Sequence, residues 1–412
     1  MDRTLILQLA FRYLRGKRSA NAVPILSRIS MVAIAVCSAA MVIVFSVFNG
    51  LESVVKDTYK AFYPDIRVSV VKGKFFDADT TKLNAVKQMN GVKNITTVIE
   101  DNALANDDNN TQQKVITLKG IDKNYFSVND VKSYIIHGDD SVSTVFHTAI
   151  AGKSIINELG IDVNFTDSKI EMYYLNPSVT NPEDDPQNAY QVLRLHPAGV
   201  FKVQDEFDSK YVLAPISFAQ QLFHAEGKYS SIEISTAPDA SVKHIKQQLQ
   251  QLFGAGFRVE TRYEQNRTMF SVMSSEKWAI RAILTLVMFI ACFNMVGALA
   301  MLVIEKQKDI AILKAMGADP AAIQKIFLLE GALWSLSGGL TGIIVGTLIC
   351  LAQMKFGIIK LQGSFLIPAF PVEIQFADLL LVVAIILTVG LLAAWYPATR
   401  ATKTIDPSLK SA

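Results

Sequence analysis

The sequence predicts an α-helical membrane protein with four transmembrane helices and a large α+β domain inserted between the first and the second. Half of its 412 residues are hydrophobic and 19% are charged, with a mean hydropathy of +0.29, more apolar than a soluble globular average. The apolar residues gather into four blocks, Ile29 to Phe48 (20 residues), Ala282 to Ile304 (23), Gly331 to Ala352 (22) and Leu379 to Tyr396 (18), all without Asp, Glu, Lys or Arg. Each is long enough to cross ~30 Å of hydrocarbon at ~1.5 Å per residue. Between the first two lies one long polar stretch. The expected divisions are 1–50, 51–275 and 276–412.

The first block outruns the ~7 to 15 apolar residues of a signal peptide and lacks a small-x-small cleavage site, so it is expected to remain as an anchor. Cys37 lies mid-block behind the bulky Val36 and reads as a small buried residue, not as a lipid acceptor. Orientation follows from basic residues beside the spans. Residues 1–28 carry Arg3, Arg12, Arg15, Lys17, Arg18 and Arg28 against Asp2, a net of +5, and the tail from Pro397 has a net of +2. Both termini are therefore predicted cytoplasmic. Residues 49–275 then lie outside, with 23 Lys and Arg against 28 Asp and Glu. Cys37, Cys292 and Cys350 all fall in spans, so the outer domain must be held by a core and not by disulfides.

Within that domain, strand-like runs occur at Ile66 to Val71, Val115 to Leu118, Ile170 to Tyr174, Val192 to Leu195, Tyr211 to Leu213 and Ile232 to Ile234. Helical periodicity marks Asp79 to Met89 and Ser241 to Leu252, each with a capping residue at its start. Two stretches read as loops outside the core: the Asn/Asp-rich Asp101 to Gln113, and Leu175 to Tyr190, stiffened by Pro177, Pro182 and Pro186. The second suits either a docking arm or a plain surface loop. Helices are expected to continue out of span one towards Phe62 and to lead into span two over Tyr263 to Lys277.

In span three, Gly338, Gly342 and Gly346 form a small-xxx-small stripe that lets another helix approach closely. Span four is expected to stop at Tyr396-Pro397, where an interfacial aromatic meets a helix breaker. With no ionisable residue inside any block, an ion or proton pathway is not expected.

Catalytic chemistry finds no support. Gly152-Lys153-Ser154 is the only G-K-[ST] string, and His147 stands where a phosphate loop needs its earlier glycine, so it reads as a helix start. The five histidines are scattered without paired spacing, and no G-x-S-x-G elbow occurs. The chain reads as a non-catalytic membrane subunit without metal or cofactor, and nothing points to nucleic acid.

The segment between spans two and three runs from Glu305 to Pro320, and its Ile310, Leu313, Met316 and Gly317 are read onto one helical face. Such a helix can insert into a groove on a soluble partner. Here the chain resembles the LolC/LolE permeases of lipoprotein-releasing ABC transporters, within the MacB/FtsX-like permease group. The resemblance rests on Val47-Phe48-Asn49-Gly50-Leu51-Glu52, Asn294, the E-K-x-x-D-I-A-I-L-K-A-M-G segment and Tyr396-Pro397-Ala398. Gly199-Val200-Phe201, Glu206-Phe207-Asp208 and Ala219-Gln220-Gln221-Leu222 narrow it towards the Lol type.

The resemblance implies a MacB-like periplasmic domain and a bacterial inner-membrane location. It also implies a coupling helix, Glu305, Lys306, Asp309, Ile310, Leu313, Met316 and Gly317, docking on a LolD-like ABC ATPase that binds the ATP and Mg. A second permease chain, the same or a paralogue, would pair through spans one and two around a cavity for acylated lipoproteins, with Met41, Val44, Phe45, Phe48 and Leu51 as candidate lining residues. The arm with Pro177, Pro182 and Pro186 sits where LolC-type chains recruit a LolA-like periplasmic carrier. A MacB-like mechanotransmission exporter of peptides or toxins and an FtsX-like regulator of a cell-wall hydrolase stay open as alternatives, as does the choice between LolC-like and LolE-like roles.

Overall fold

The structure, a computed structural model, describes residues 23–107, 111–138, 142–163, 168–176, 179, 189–360 and 369–403. Its principal helices are α1 (Val23–Lys60), α2 (Thr80–Lys87), α3 (Ile216–Leu222), α4 (Val242–Phe253), α5 (Arg267–Glu305), α6 (Gln307–Ala315), α7 (Pro320–Phe356) and α8 (Phe376–Lys403). The strands are β1 (Ile66–Val70), β2 (Phe76–Asp77), β3 (Val92–Asp107), β4 (Gln113–Ile121), β5 (Ile135–Gly138) and β6 (Thr148–Gly152), then β7 (Ile170–Leu175), β8 (Tyr190–Phe201), β9 (Tyr211–Pro215), β10 (Lys228–Tyr229), β11 (Ser231–Thr236) and β12 (Phe257–Thr261).

The chain divides into two compact units. One, Val55–Ser271, stops four residues short of the expected 51–275 at each end; the other holds the four helices long and apolar enough to span a membrane, α1, α5, α7 and α8. Each of the four contains one apolar block.

In the inserted unit every strand-like run of the sequence falls in a strand of one ten-stranded mixed sheet, save Val71, one residue past the end of β1. Its order is β12-β1-β11-β3-β4-β9-β6-β8-β5, and β7 pairs with both β3 and β8. Hydrogen bonding therefore runs β3-β4-β9-β6-β8-β7 and back to β3, closing a circuit around Ile99, Leu118, Met172, Leu195, Val212 and Phe218. Every strand of the circuit is paired on both sides, and β5, paired with β8, is left as the edge strand at this end. At the other end, α2 and α4 cover β12-β1-β11-β3 through Val86, Ile245, Leu249 and Phe253. The Asp79 side chain caps α2 by accepting from Thr81 N–H at 2.8 Å; Ser241 leads α4 without a side-chain cap.

Asp101 to Gln113 corrects the expectation of a loop: β3 continues to Asp107, and Ala103 and Ala105 are buried. The alternation Ala103-Leu104-Ala105 is strand-like, and its polar neighbours are served locally, Asn102 accepting from Thr117 Oγ1 at 3.0 Å. Gly152 ends β6 and Lys153 opens a short helix; a Cβ at 152 would stand 2.1 Å from the Asp208 carbonyl oxygen, so the glycine serves backbone approach. The helix expected over Tyr263 to Lys277 is interrupted at Asn266, before α5.

In the membrane unit, the face of α7 carrying Gly338, Gly342 and Gly346 lies against the α1 backbone at Met31, Ala35 and Ala39, with a Cβ at 342 only 2.1 Å from the Ala35 carbonyl. Two further glycines of α7 admit α8, Gly331 against Ala394 and Gly339 against Ile386. α8 does not stop at Tyr396 but runs through Pro397 to Lys403. The proline removes one hydrogen bond, and burial of Ala394, Ala398 and Ala401 along the same face holds the helix together beyond it.

Candidate functional site

Three places on the molecule combine signature residues with unusual chemistry. The first is a polar latch where the helices of the membrane unit leave their apolar blocks. Asn49, 1% exposed, donates from Nδ2 to Asp378 Oδ2 at 2.6 Å and accepts at Oδ1 from Lys277 Nζ at 2.8 Å. Lys277 also holds Glu52 at 2.8 Å, and Arg281 reaches the other Asp378 oxygen at 3.0 Å. Gly50 lets the backbone of residues 371–372 close on α1, where a Cβ would lie 2.5 Å from Pro371 C, and Glu373 N–H donates to Ser46 O at 2.9 Å. The Asn49-Gly50-Leu51-Glu52 signature thus ties α1 to α5 and to the start of α8. Sequence reading missed Lys277, Arg281 and Asp378. Their signal was position, since Arg281 and Asp378 directly precede the second and fourth blocks.

Among the candidate lining residues, Met41 and Phe45 are buried in the helix core, and the Arg281 guanidinium lies 6.0 Å from the Phe45 ring. They are not available as lining in this chain. Val44, Phe48 and Leu51 are half-buried. Asn294 is exposed on α5 beside Phe293, itself 60% exposed, and a Cβ at Gly297 on the next turn would meet nothing within 4 Å.

The second place is α6. Ile310 is 3% exposed and sits in the membrane-unit core, Leu313 is half-buried, and Met316 is 78% exposed. The single apolar face is therefore corrected. At ~100° per residue, Met316 lies ~240° round from Ile310, close to Ile312 at ~200°, and Ile312 is also exposed. Ile310 anchors the helix, whereas Ile312 and Met316 form its outward apolar pair. Glu305 is exposed, Lys306 and Asp309 pair at 3.2 Å, and Gly317 (φ +84°) closes α6 with Ala318 N–H donating to Leu313 O at 3.0 Å.

The third lies in the inserted unit, where the end of α1 meets an aromatic cluster. Phe62 stacks on Phe207 (5.0 Å between centroids) and Tyr211 (4.7 Å), Tyr59 meets Phe207 edge-on, and Tyr59 Oη donates to Glu206 at 2.7 Å. Burial, reinforced by Glu206, pushes the Tyr59 phenol above its ordinary range. Asp208 accepts from Val203 N–H at 2.7 Å, and burial pushes its carboxyl up to about 6. Glu206 and Phe207 thus hold the stalk end, and Asp208 fastens the turn that carries them. Arg262, just beyond β12, donates to Tyr63 O at 2.8 Å and pairs with Asp65 at 3.0 Å, so the two points where the chain crosses into this unit are tied side by side.

Nearby, Arg67 stands opposite Glu233 across β1 and β11, and Glu100 opposite Lys119 across β3 and β4, with the two pairs joined through their side chains. Lys119 reaches Glu233 at 2.7 Å and Glu100 at 3.7 Å, and Arg67 pairs with Glu100. Burial opposes ionisation of Glu100, yet Arg67 and Lys119 together hold it down to about 2. Pro177, Pro182 and Pro186 lie outside the described residues.

Four apolar helices with a periplasmic-type domain set between the first two define a membrane permease. The chain belongs to the family with a MacB-like periplasmic core domain, whose model matches residues 27–252, and residues 281–404 match the FtsX-like permease C-terminal model. It is 24% identical over 416 residues to the lipoprotein-releasing system transmembrane protein LolC of Neisseria meningitidis, covering 96% of each chain. It is 25% identical over 415 residues to LolE of Haemophilus influenzae, again 96% of each. The resemblance to Lol permeases seen in the sequence thus holds along the chain. The periplasmic region of MacB from Actinobacillus actinomycetemcomitans aligns with 53% of this chain and 97% of its own, at 12% identity and a TM-score of 0.36.

Proposed function

We propose that the chain is a permease subunit of an ABC transporter that extracts lipoproteins from the outer leaflet of the inner membrane and passes them to a periplasmic carrier. The observation that carries this reading is the end-to-end similarity to LolC and LolE, 96% of both chains. In this reading both termini and α6 face the cytoplasm, and ATP and Mg belong to a separate ATPase. That ATPase docks on the outward pair Ile312 and Met316, with Glu305, Lys306, Asp309 and Leu313 around them and Ile310 as the anchor below.

The physical problem is one of scale. Three acyl chains of ~15 CH₂ each, at ~0.8 kcal/mol per CH₂, hold a lipoprotein in the bilayer by roughly 36 kcal/mol. Dragging such chains through water is out of reach of one turnover, so the route must stay apolar up to the carrier. Val44, Phe48 and Leu51 offer such a surface on α1. A second permease chain completes it, and the exposed Asn294 amide supplies a polar contact that lipid tails cannot make. Motion reaches the outer domain through α1, whose end is gripped by Phe207 and Glu206, while the latch around Asn49 sets how the spans are held together.

The test is purification of the tagged chain in mild detergent and mass spectrometry of what travels with it. An ABC ATPase and acylated lipoproteins are expected. An ATPase accompanied by a cell-wall hydrolase and no lipoprotein would replace this reading with that of a hydrolase regulator.

A further inference from the structure

The apolar character of α7 does not end with its uncharged block. The block closes at Ala352, and four further helical residues at ~1.5 Å each carry Phe356 about 6 Å beyond it. Gly357, in the left-handed region at φ +56°, then turns the chain, and Lys360 bridges back to Ala369. Phe356, Ile358 and Ile359 project from this turn, 71%, 68% and 62% exposed.

The turn is built to hold that apolar tip in place. The Gln353 side chain, itself buried, accepts from Ile359 N–H at 2.9 Å and donates to the carbonyls of Ile359 at 2.9 Å and Phe370 at 3.2 Å. Gly357 N–H donates to Gln353 O at 2.8 Å, and Phe370 N–H to Ile359 O at 2.9 Å. Irregular backbone can lie at membrane depth only where its polar groups find partners within the protein, and here one glutamine supplies several of them. The charge around the tip has a single sign. Lys355 and Lys360 are exposed, and no Asp or Glu occurs from residue 353 to residue 372. Lys355 Nζ lies 5.8 Å from the Phe356 ring centre, so cation and apolar tip share one surface. Two other spans begin with an exposed aromatic at a similar remove from their blocks: Trp278, four residues before Ala282, and Phe376, three before Leu379. Rings at that remove mark the depth of the lipid headgroups.

We propose that residues 356–360 are inserted into the lipid leaflet at this end of α7, with Phe356, Ile358 and Ile359 at the headgroup–acyl boundary and Lys355 and Lys360 on lipid phosphates. The occupant of the apolar face is phospholipid and not a protein chain: the face continues a spanning helix, its flanking cations match phosphate, and the turn's backbone is served from within. The tip sets the depth of α7 and spreads the headgroups beside it. That this is the leaflet from which lipoproteins are drawn rests on the proposed function; the insertion does not.

The test uses the full chain in nanodiscs of phosphatidylethanolamine and phosphatidylglycerol. A nitroxide is attached to Ile358→Cys, and its relaxation by oxygen, which concentrates in lipid, is compared with that by a water-soluble nickel chelate. Wild type, whose Cys37, Cys292 and Cys350 lie in α1, α5 and α7, gives the background. Both substituted side chains, Ile358 and the reference Val145→Cys in the inserted unit, are exposed, so folding is not at stake. The oxygen-to-chelate ratio at 358 should be several times that at 145, and Lys355→Glu with Lys360→Glu should lower it about threefold. Chelate reaching 358 as readily as 145 would place the turn in water, and protection from both reagents would mean that a protein chain covers it. Either result overturns the proposal, as does a ratio unmoved by the charge reversal. No ATP, carrier or lipoprotein enters the assay, so its outcome is independent of the transport reading.

Discussion

At the scale of residues, the inserted unit stores its polar risk in a few buried groups whose behaviour can be forecast by sign. Asp208 titrates near 6 when folded against a model-peptide value of 3.8, so the folded chain holds this proton more tightly than the unfolded one. Its contribution to stability is complete below about pH 4 and is lost as pH rises through 6. Asp208→Asn should therefore shrink the drop in thermal midpoint between pH 5 and pH 7, read by circular dichroism on the full chain; an unchanged drop would exclude Asp208 as its source. Glu100 works in the opposite sense, its contribution being present above about 4.5 and lost as pH falls through about 2. Lys119 is the hinge of that ladder. Lys119→Met leaves Glu233 and Glu100 short of a cation and should cost about 3–5 kcal/mol in urea unfolding of the domain, with part of the loss recovered by adding Glu233→Gln. Little of this was legible beforehand. Glu206-Phe207-Asp208 stood out as a motif, but its roles come from Tyr59, Phe62 and Val203, two of them over a hundred residues away. The ladder was hidden because Lys119 and Glu233 look like ordinary solvent-facing strand residues.

At the scale of elements, periodicity carried most of the information, and its failures have definite causes. The strand-like runs and both amphipathic helices formed because each buries a face with the right repeat. Asp101 to Gln113 was misread because Asn and Asp signal turns, whereas here β3 runs through them with Ala103, Ala105, Asn106 and Asp107 buried, Asn102 accepting from Thr117 and Asp107 from Thr111. Pro397 was misread because helix breaking is weighed against packing on α7 that local sequence does not display. The glycine stripe was legible, since a four-residue repeat of glycines lines one side of any helix; which helix approaches it was not. Gly342→Leu should abolish accumulation of folded chain in the membrane, because its side chain would enter the α1 backbone, while Gly297→Leu, facing open space, should leave it intact. On α6, Ile312→Asp with Met316→Asp should remove the ATPase from the purified complex without lowering the thermal midpoint, whereas Ile310→Asp should destabilise the membrane unit by several kcal/mol. Retention of the ATPase by the Ile312→Asp, Met316→Asp double variant would show that docking lies elsewhere.

At the scale of the whole molecule, four uncharged blocks and a polar insertion gave the architecture directly from hydrophobic length. Circuit closure in the sheet and the Asn49 latch were out of reach, since both join residues distant in sequence: Asn49 and Asp378 are 329 positions apart. The latch predicts that Asp378→Asn, which keeps the shape but removes the charge facing Arg281, loosens the membrane unit, seen as faster cleavage of residues 369–375 by added protease. The most direct test of the central claim is release of a triacylated lipoprotein from proteoliposomes containing this chain, its co-purified ATPase and any co-purified second permease, with a soluble carrier outside. The account predicts ATP-dependent appearance of lipoprotein bound to the carrier, abolished by Ile312→Asp with Met316→Asp. Lipoprotein that stays in the liposomes while the intact complex hydrolyses ATP would contradict it.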